Sequence, residues 1–170
     1  MSTKTTITPY RTTAIVVGVI YLAGFVVGIS GEILFQSILG VPDYLATLST
    51  NSMTVAIGAL LWLLTVAGDA AHGILLFPLL KQHHERIAVG YLAVRIMDAF
   101  FIAMMVIFIL LQIPLGNAYL NATADDVVAL ETLSALFIHG QHVAYQIGMS
   151  TLGVAGLLLC YTLYKATLVP

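Results

Sequence analysis

The chain has 170 residues, of which 60% are hydrophobic and only 8% are charged, and its net charge is −2. Soluble globular proteins carry a charge on about a quarter of their residues, so this composition excludes that class. The lack of a basic cluster excludes a nucleic-acid partner, because phosphate binding needs grouped Lys and Arg side chains. A single cysteine, Cys160, excludes an internal disulfide.

Four apolar stretches make up most of the chain, near residues 13–35, 53–80, 88–114 and 133–164. Each can cross a bilayer as a helix, because a helix rises about 1.5 Å per residue and the hydrocarbon core is about 30 Å thick. The connecting segments are too short to fold as separate domains. We therefore predict an all-α polytopic membrane protein, a four-transmembrane-helix bundle that forms a single membrane-embedded domain over residues 1–170 with the lipid bilayer as its partner.

Local signals refine these elements in chain order. Gly24 and Gly28 have the spacing that is typical of close contacts between membrane helices. The segment Lys81–Arg86 predicts a tight turn between the second and third spans. Thr123, followed by acidic residues, predicts a helix start, so the fourth helix begins at the interface and enters the membrane near Leu133.

Basic residues indicate the orientation of the chain. Five of the six Lys and Arg residues lie at the termini or in the second connection: Lys4, Arg11, Lys81, Arg86 and Lys165. All charged residues in the first and third connections are acidic. By the positive-inside rule, we predict a protein of the cytoplasmic (inner) membrane with cytoplasmic N- and C-termini.

An intramembrane polar network is predicted between spans two and three. Asp69 and His72, and likewise Arg95 and Asp98, are three residues apart, which places each pair on one helical face. Both pairs lie roughly 12–16 Å from the cytoplasmic ends of their spans. We expect Arg95 to lie between the two carboxylates and His72 to donate to one of them. Such a network either neutralises charge and specifies helix packing, or forms a proton or ion relay or a polar binding pocket.

A second, outer polar layer consists of Glu32, His139, His142 and Gln146. These residues lie at the opposite membrane boundary, roughly 15 Å from the inner network, so one metal site cannot combine the two layers. The outer side chains are either ordinary interfacial groups or a periplasmic metal or haem site built from Glu32 and the two histidines. The signal is short of a metal signature, and we assign no catalytic residue, no metal and no cofactor.

The segment at residues 77–98, FPLLKQHHERIAVGYLAVRIMD, carries a resemblance to a known family. It resembles the bacterial membrane family named domain of unknown function 4386, whose members have a similar YPLLK…NERLALGY…R…E stretch. The first span and the final segment, residues 159–170, are also similar to it. The resemblance implies a multi-pass protein without an established activity and gives no catalytic residues. Family chains continue past this point with further spans, so we expect a short or C-terminally truncated member.

Three functions remain open. The first is a non-enzymatic accessory, sensor or partner-binding membrane subunit, as a homo-oligomer or with another membrane protein, which the lack of a catalytic signature favours. The second is a small-solute or proton-coupled transporter in which Asp69, His72 and Asp98 change protonation. The third is a metal- or haem-binding membrane enzyme or electron carrier that uses His139 and His142.

Overall fold

The computed structural model describes residues 8–167, with side chains from Arg11 onward. Lys4, used above for orientation, lies outside the described residues. The described chain is all-α and contains no strand. Its helices are α1 (Thr8–Leu39), α2 (Tyr44–Thr50), α3 (Ser52–His83), α4 (Glu85–Leu110), α5 (Gln112–Tyr119) and α6 (Ala124–Lys165).

Four segments of the described chain are long and apolar enough to cross a membrane, which confirms the predicted spans. They are α1, α3, α4 continued by α5, and α6. Their outward faces carry many exposed apolar side chains, such as Leu22 at 69% and Leu157 at 73% exposure. Lipid is the solvent that suits such faces, so the protein is a membrane-embedded helical bundle.

The turn between α3 and α4 agrees with the sequence prediction, whereas the third span differs from it. Only His84 separates α3 from α4, which confirms the tight turn. The third span, however, is not one helix over residues 88–114, because α4 ends at Leu110 and α5 begins at Gln112. Pro114 explains the break, since proline cannot donate to the carbonyl of Leu110 and its ring clashes with that carbonyl in a continuous helix.

The fourth span begins where the sequence predicted, with Thr123 directly before the first residue of α6. At 42 residues, α6 is longer than the hydrocarbon core requires. Its first turns instead pack beside the short helix α5, which in turn packs on α2. Gly116 permits that contact, because a Cβ atom there would lie 2.8 Å from Leu48 Cβ. The helices α2 and α5 thus cover one end of the bundle, opposite the α3–α4 turn.

The four spanning helices form an open row and not a closed bundle. Extensive contacts join α1 to α3, α3 to α4, and α4 to α6, whereas α1 and α6 have no extensive contact with each other. Helices α1 and α3 approach each other closely at Gly31, where a Cβ atom would lie 3.0 Å from the Gly58 carbonyl oxygen. Gly28 and Gly24 also contact α3: a Cβ atom at Gly28 would lie 3.4 Å from Thr65 Oγ1, and the Gly24 carbonyl oxygen accepts from Thr65 Oγ1 at 3.4 Å. A cleft therefore remains between α1 and α6.

Candidate functional site

Arg95 contacts the other three residues of the predicted inner network beside this cleft. Arg95 is 2% exposed, and its Nη2 donates to Asp69 Oδ1 at 2.7 Å. Its Nη1 donates to Asp98 Oδ2 at 3.1 Å, and Asp98 is 1% exposed. Arg95 can approach α3 because Gly73 has no side chain there: a Cβ atom would lie 3.2 Å from Arg95 Cβ. The network thus ties α3 to α4 through charge-assisted hydrogen bonds.

His72 joins a third helix to the network. Its Nδ1 accepts from Arg95 Nη2 at 3.0 Å, since a guanidinium can only donate. Its Nε2 therefore carries the proton and donates to the carbonyl oxygen of Val17 on α1 at 2.9 Å. The expectation that His72 donates to a carboxylate is wrong, because Arg95 occupies the nitrogen that faces the network. In this arrangement the imidazole is neutral.

The charges of the network do not balance. Asp69 and Asp98 share one guanidinium, and the neutral His72 adds no positive charge. The two carboxylates also differ in access, because the Asp69 side chain is 18% exposed and that of Asp98 is 1% exposed. Arg95 Nε has no hydrogen-bond partner. The network is therefore a nearly closed structural unit that has one accessible carboxylate and one carboxylate in excess.

Three connected cavities run along the α1–α6 cleft. The turn-side cavity, of about 450 Å³, lies nearest the α3–α4 turn and is bordered by His72 and Arg95. The central cavity, of about 150 Å³, is bordered by Asp69, His72 and Asp98 among mostly apolar side chains. The distal cavity, of about 240 Å³, lies at the α2–α5 end. Neighbouring cavities share lining residues, so they form one continuous cleft with α3 and α4 as its floor.

Glycines keep this cleft wide. Gly18, Gly24 and Gly156 all line it, and a Cβ atom on any of them would have no neighbour within 4 Å. Helix packing therefore does not require glycine at these positions, although glycine costs a helix interior about 1 kcal/mol relative to alanine in soluble hosts. The glycines leave space between α1 and α6 that larger side chains would fill.

The structure separates the predicted outer layer. Glu32 is half-buried, accepts from Gln36 Nε2 at 2.8 Å and lines the distal cavity together with His142. His139 and Gln146 are exposed and line none of the three cavities. Within residues 11–167, no three His, Cys, Asp or Glu side chains are grouped closely enough to hold a metal ion. Among the described residues, no hydrogen bond joins this layer to the inner network.

Sequence reasoning missed the polar residues that face the distal cavity. Trp62, Gln141 and Tyr145 line it, and the buried atoms Trp62 Nε1 and Gln141 Oε1 have no hydrogen-bond partner. The signal was the spacing of Gln141 with Ala144 and Gly148, which places it on the small-residue face of α6. The sequence prediction had instead used His139 and His142, which lie on a neighbouring face of α6.

A second buried polar cluster, also missed, lies at the α2–α5 end. Gln112 Nε2 donates to the Ser134 carbonyl at 3.1 Å, and Ser134 Oγ donates to Gln112 Oε1 at 2.6 Å. Tyr44 Oη lies 2.8 Å from Ser134 Oγ. These bonds connect α2, α5 and α6. Their sequence signal is weak, because each residue stands alone in its segment.

The open row of four spans and the polar network beside its cleft define an all-α integral membrane protein. A family model described as Domain of unknown function (DUF4386) matches residues 16–170. The chain belongs to this family, which confirms the resemblance seen at residues 77–98. Neither the comparison with curated proteins nor that with solved structures finds a match.

Proposed function

We propose that this protein is a non-enzymatic sensor or accessory subunit that binds a small, largely apolar molecule from the bilayer in the α1–α6 cleft. The observation that carries the proposal is the open cleft between α1 and α6, which has the polar network of α3 and α4 at its base. Ligand sites are mostly apolar cavities with a few placed polar groups, and the cleft has this composition. We also propose that residues 1–170 form one membrane-embedded domain.

The network has a structural role in this proposal. Because Arg95 holds α3 to α4 and His72 holds α1, the floor and one wall of the cleft are fixed relative to each other. The other wall, α6, packs mainly on α4 in the membrane, and its few contacts with α3 include the Trp62–Tyr145 ring pair. A guest between α1 and α6 can therefore bias the position of α6, which is how occupancy would be passed to a partner.

Native mass spectrometry of the full chain, released from its host membrane in mild detergent, tests this function. We expect the wild type to retain one small molecule, and we expect Gly24→Leu and Gly156→Leu to lose it by filling the cleft. Gly153→Leu is the matched control, because Gly153 also has open space around it but lines none of the three cavities. Equal retention by the cleft variants and the control would contradict the proposal.

A proton-coupled or small-solute carrier is the second candidate, and one observation favours it. Asp69 and Asp98 share one guanidinium, and both line the central cavity. Intramembrane carboxylates in excess of their counter-ions are typical of proton and cation pathways. In proteoliposomes loaded with a pH-sensitive dye, this function predicts proton flux that Asp69→Asn abolishes and the exposed control Asp125→Asn retains. Flux no higher than in empty liposomes would exclude proton coupling.

We further propose that the α3–α4 turn and both termini face the cytoplasm of a bacterial inner membrane. Lys81 and Arg86 flank the turn, and the positive-inside rule supports this orientation. In a Cys160→Ala background, an impermeant maleimide should label Asn117→Cys in intact cells and leave His84→Cys unlabelled until lysis. Both positions are exposed. The reverse labelling pattern would show the opposite orientation.

A further inference from the structure

The distal cavity contains polar atoms that the protein itself does not satisfy. Gln141 is 5% exposed, and its Oε1 has no hydrogen-bond partner. Trp62 Nε1 is also buried and unpartnered. Both residues line the cavity. Buried polar atoms are nearly always hydrogen-bonded, so an acceptor left open at a cavity indicates a donor that comes from outside the chain.

The charge of the cavity indicates which kind of donor it is. Glu32 lines the cavity, and its carboxylate accepts from Gln36, a neutral side chain. No salt bridge within residues 11–167 includes Glu32. The cavity thus has a negative charge without a counter-ion and an open carbonyl acceptor. A cation with N–H donors complements both.

Two aromatic rings favour the same kind of ligand. Trp62 and Tyr145 line the cavity edge to face, with ring centroids 6.2 Å apart. Indole and phenol faces attract cations, and the attraction is stronger where water is excluded. A carboxylate, a carbonyl oxygen and two aromatic rings together form a typical environment for an ammonium group.

The central cavity is a poor place for that ammonium group, although it also borders carboxylates. Asp69 and Asp98 already accept hydrogen bonds from Arg95 there, so they offer an ammonium group less unpaired charge than Glu32 does. The rest of the central cavity is lined mostly by apolar side chains, Ile102 and Met149 among them. Because the central and distal cavities share lining residues, one molecule can extend through both.

We propose that the distal cavity binds the ammonium group of an amphipathic primary amine whose apolar chain lies in the central cavity. The ammonium donates to the Glu32 carboxylate and to Gln141 Oε1, and it lies against the rings of Trp62 and Tyr145. This inference rests on the proposed ligand-binding function and names the class of ligand.

Trp62, the only tryptophan of the chain, is a built-in reporter of this site. The full chain in phosphatidylcholine nanodiscs is titrated with dodecylamine, dodecanol and dodecanoate while Trp62 emission is recorded. We expect a saturable change with dodecylamine at a concentration about tenfold lower than with dodecanol, because its charged donors gain charge-assisted hydrogen bonds. Dodecanoate should bind most weakly, since Glu32 repels it.

Variants separate the amine site from simple partitioning into the bilayer. Glu32→Gln should weaken dodecylamine binding about tenfold and leave dodecanol binding unchanged, because only the charge-assisted bond is lost. Gln141→Leu should weaken dodecylamine binding by a smaller factor. Glu131→Gln is the matched control, an exposed carboxylate on α6 that lines none of the three cavities, and it should bind as the wild type does.

The outcomes distinguish this inference from the function on which it rests. Equal saturation by all three probes, lost in Gly24→Leu, would overturn the amine site and leave a cleft for apolar ligands. An unchanged dodecylamine titration in Glu32→Gln would also overturn the amine site. No saturable response to any probe would overturn it as well, and retention in the mass spectrum of the wild type then decides whether the cleft binds other ligands.

Discussion

Two sets of polar side chains lie between the same helices, and their partners differ. In the inner network, Arg95 donates to two carboxylates and to His72 within 3.1 Å. In the distal cavity, Gln141 Oε1 and Trp62 Nε1 have no partner. The polar groups at the α3–α4 interface therefore satisfy one another, whereas Gln141 Oε1 at the α1–α6 cleft is an open acceptor, which the proposed amine would satisfy.

Removing the centre of the network should give the largest effect. Arg95→Leu leaves two carboxylates close together and without a counter-ion, and breaking a buried ion pair costs about 3–5 kcal/mol. The free energy of unfolding in mixed micelles measures this loss. Arg86→Leu, an exposed arginine at the α3–α4 turn, is the control and should stay within about 0.5 kcal/mol of the wild type. Similar losses in both variants would show that the network does not hold the helices together.

The next largest change in stability is expected from a leucine at a glycine that packs against a neighbouring helix, compared with a leucine at a glycine that faces open space. Gly31→Leu should destabilise the protein by about 1–3 kcal/mol, because its Cβ would lie 3.0 Å from Trp62 Cδ1 and from the Gly58 carbonyl. Gly24→Leu should change stability by less than about 0.5 kcal/mol, since nothing lies within 4 Å. Unfolding measurements on both variants check the pair. A reversed order would mean that α1 does not pack on α3 as described.

Ser134→Ala should cost about 1–2 kcal/mol, because it leaves Gln112 Oε1 and Tyr44 Oη without their partner at the α2–α5 end. Ser150→Ala is the matched control: its hydroxyl bonds only to the carbonyl of Gln146 in the same helix. The thermal midpoint in detergent should fall for Ser134→Ala alone. Equal midpoints would show that this cluster does not fix α2 and α5.

The smallest effects are expected in the exposed part of the outer layer. His139→Ala and Gln146→Ala should each change the free energy of unfolding by less than about 0.5 kcal/mol, since both side chains are exposed. Elemental analysis and a visible spectrum of the same preparations test the metal or haem hypothesis. Stoichiometric metal in the wild type that disappears in His139→Ala would overturn the interpretation of these residues as interfacial groups.

Hydropathy was sufficient to predict the spans, because length and apolar composition alone decide which helices can enter a bilayer. The three-residue spacing and the depth along each helix predicted that four polar residues lie at one level of the membrane: Asp69, His72, Arg95 and Asp98. The orientation of His72 was beyond that reasoning. His72 donates to the Val17 carbonyl because Arg95 occupies its other ring nitrogen and α1 lies within reach of Nε2, and the sequence around His72 shows neither contact.

The cleft could not be predicted from the sequence. A glycine at which a Cβ atom would meet a neighbouring helix and one at which it would meet open space have the same sequence signal, as Gly28 and Gly24 show. Apolar periodicity is also uninformative, because lipid, a guest and a packed helix are equally compatible with Leu and Ile side chains. Gln141 was overlooked for a related reason, since a lone amide among small residues resembles ordinary helix packing.

Quenching of Trp62 fluorescence by phosphatidylcholine brominated along its acyl chains tests the open cleft most directly, because Trp62 lines both the central and the distal cavity. We predict strong quenching in the wild type and in Gly153→Leu, and weak quenching in Gly24→Leu, where the new side chain fills the central cavity. Equal and weak quenching in all three proteins would show that α1 and α6 close on each other, or on another helix, in the bilayer, and would contradict the account.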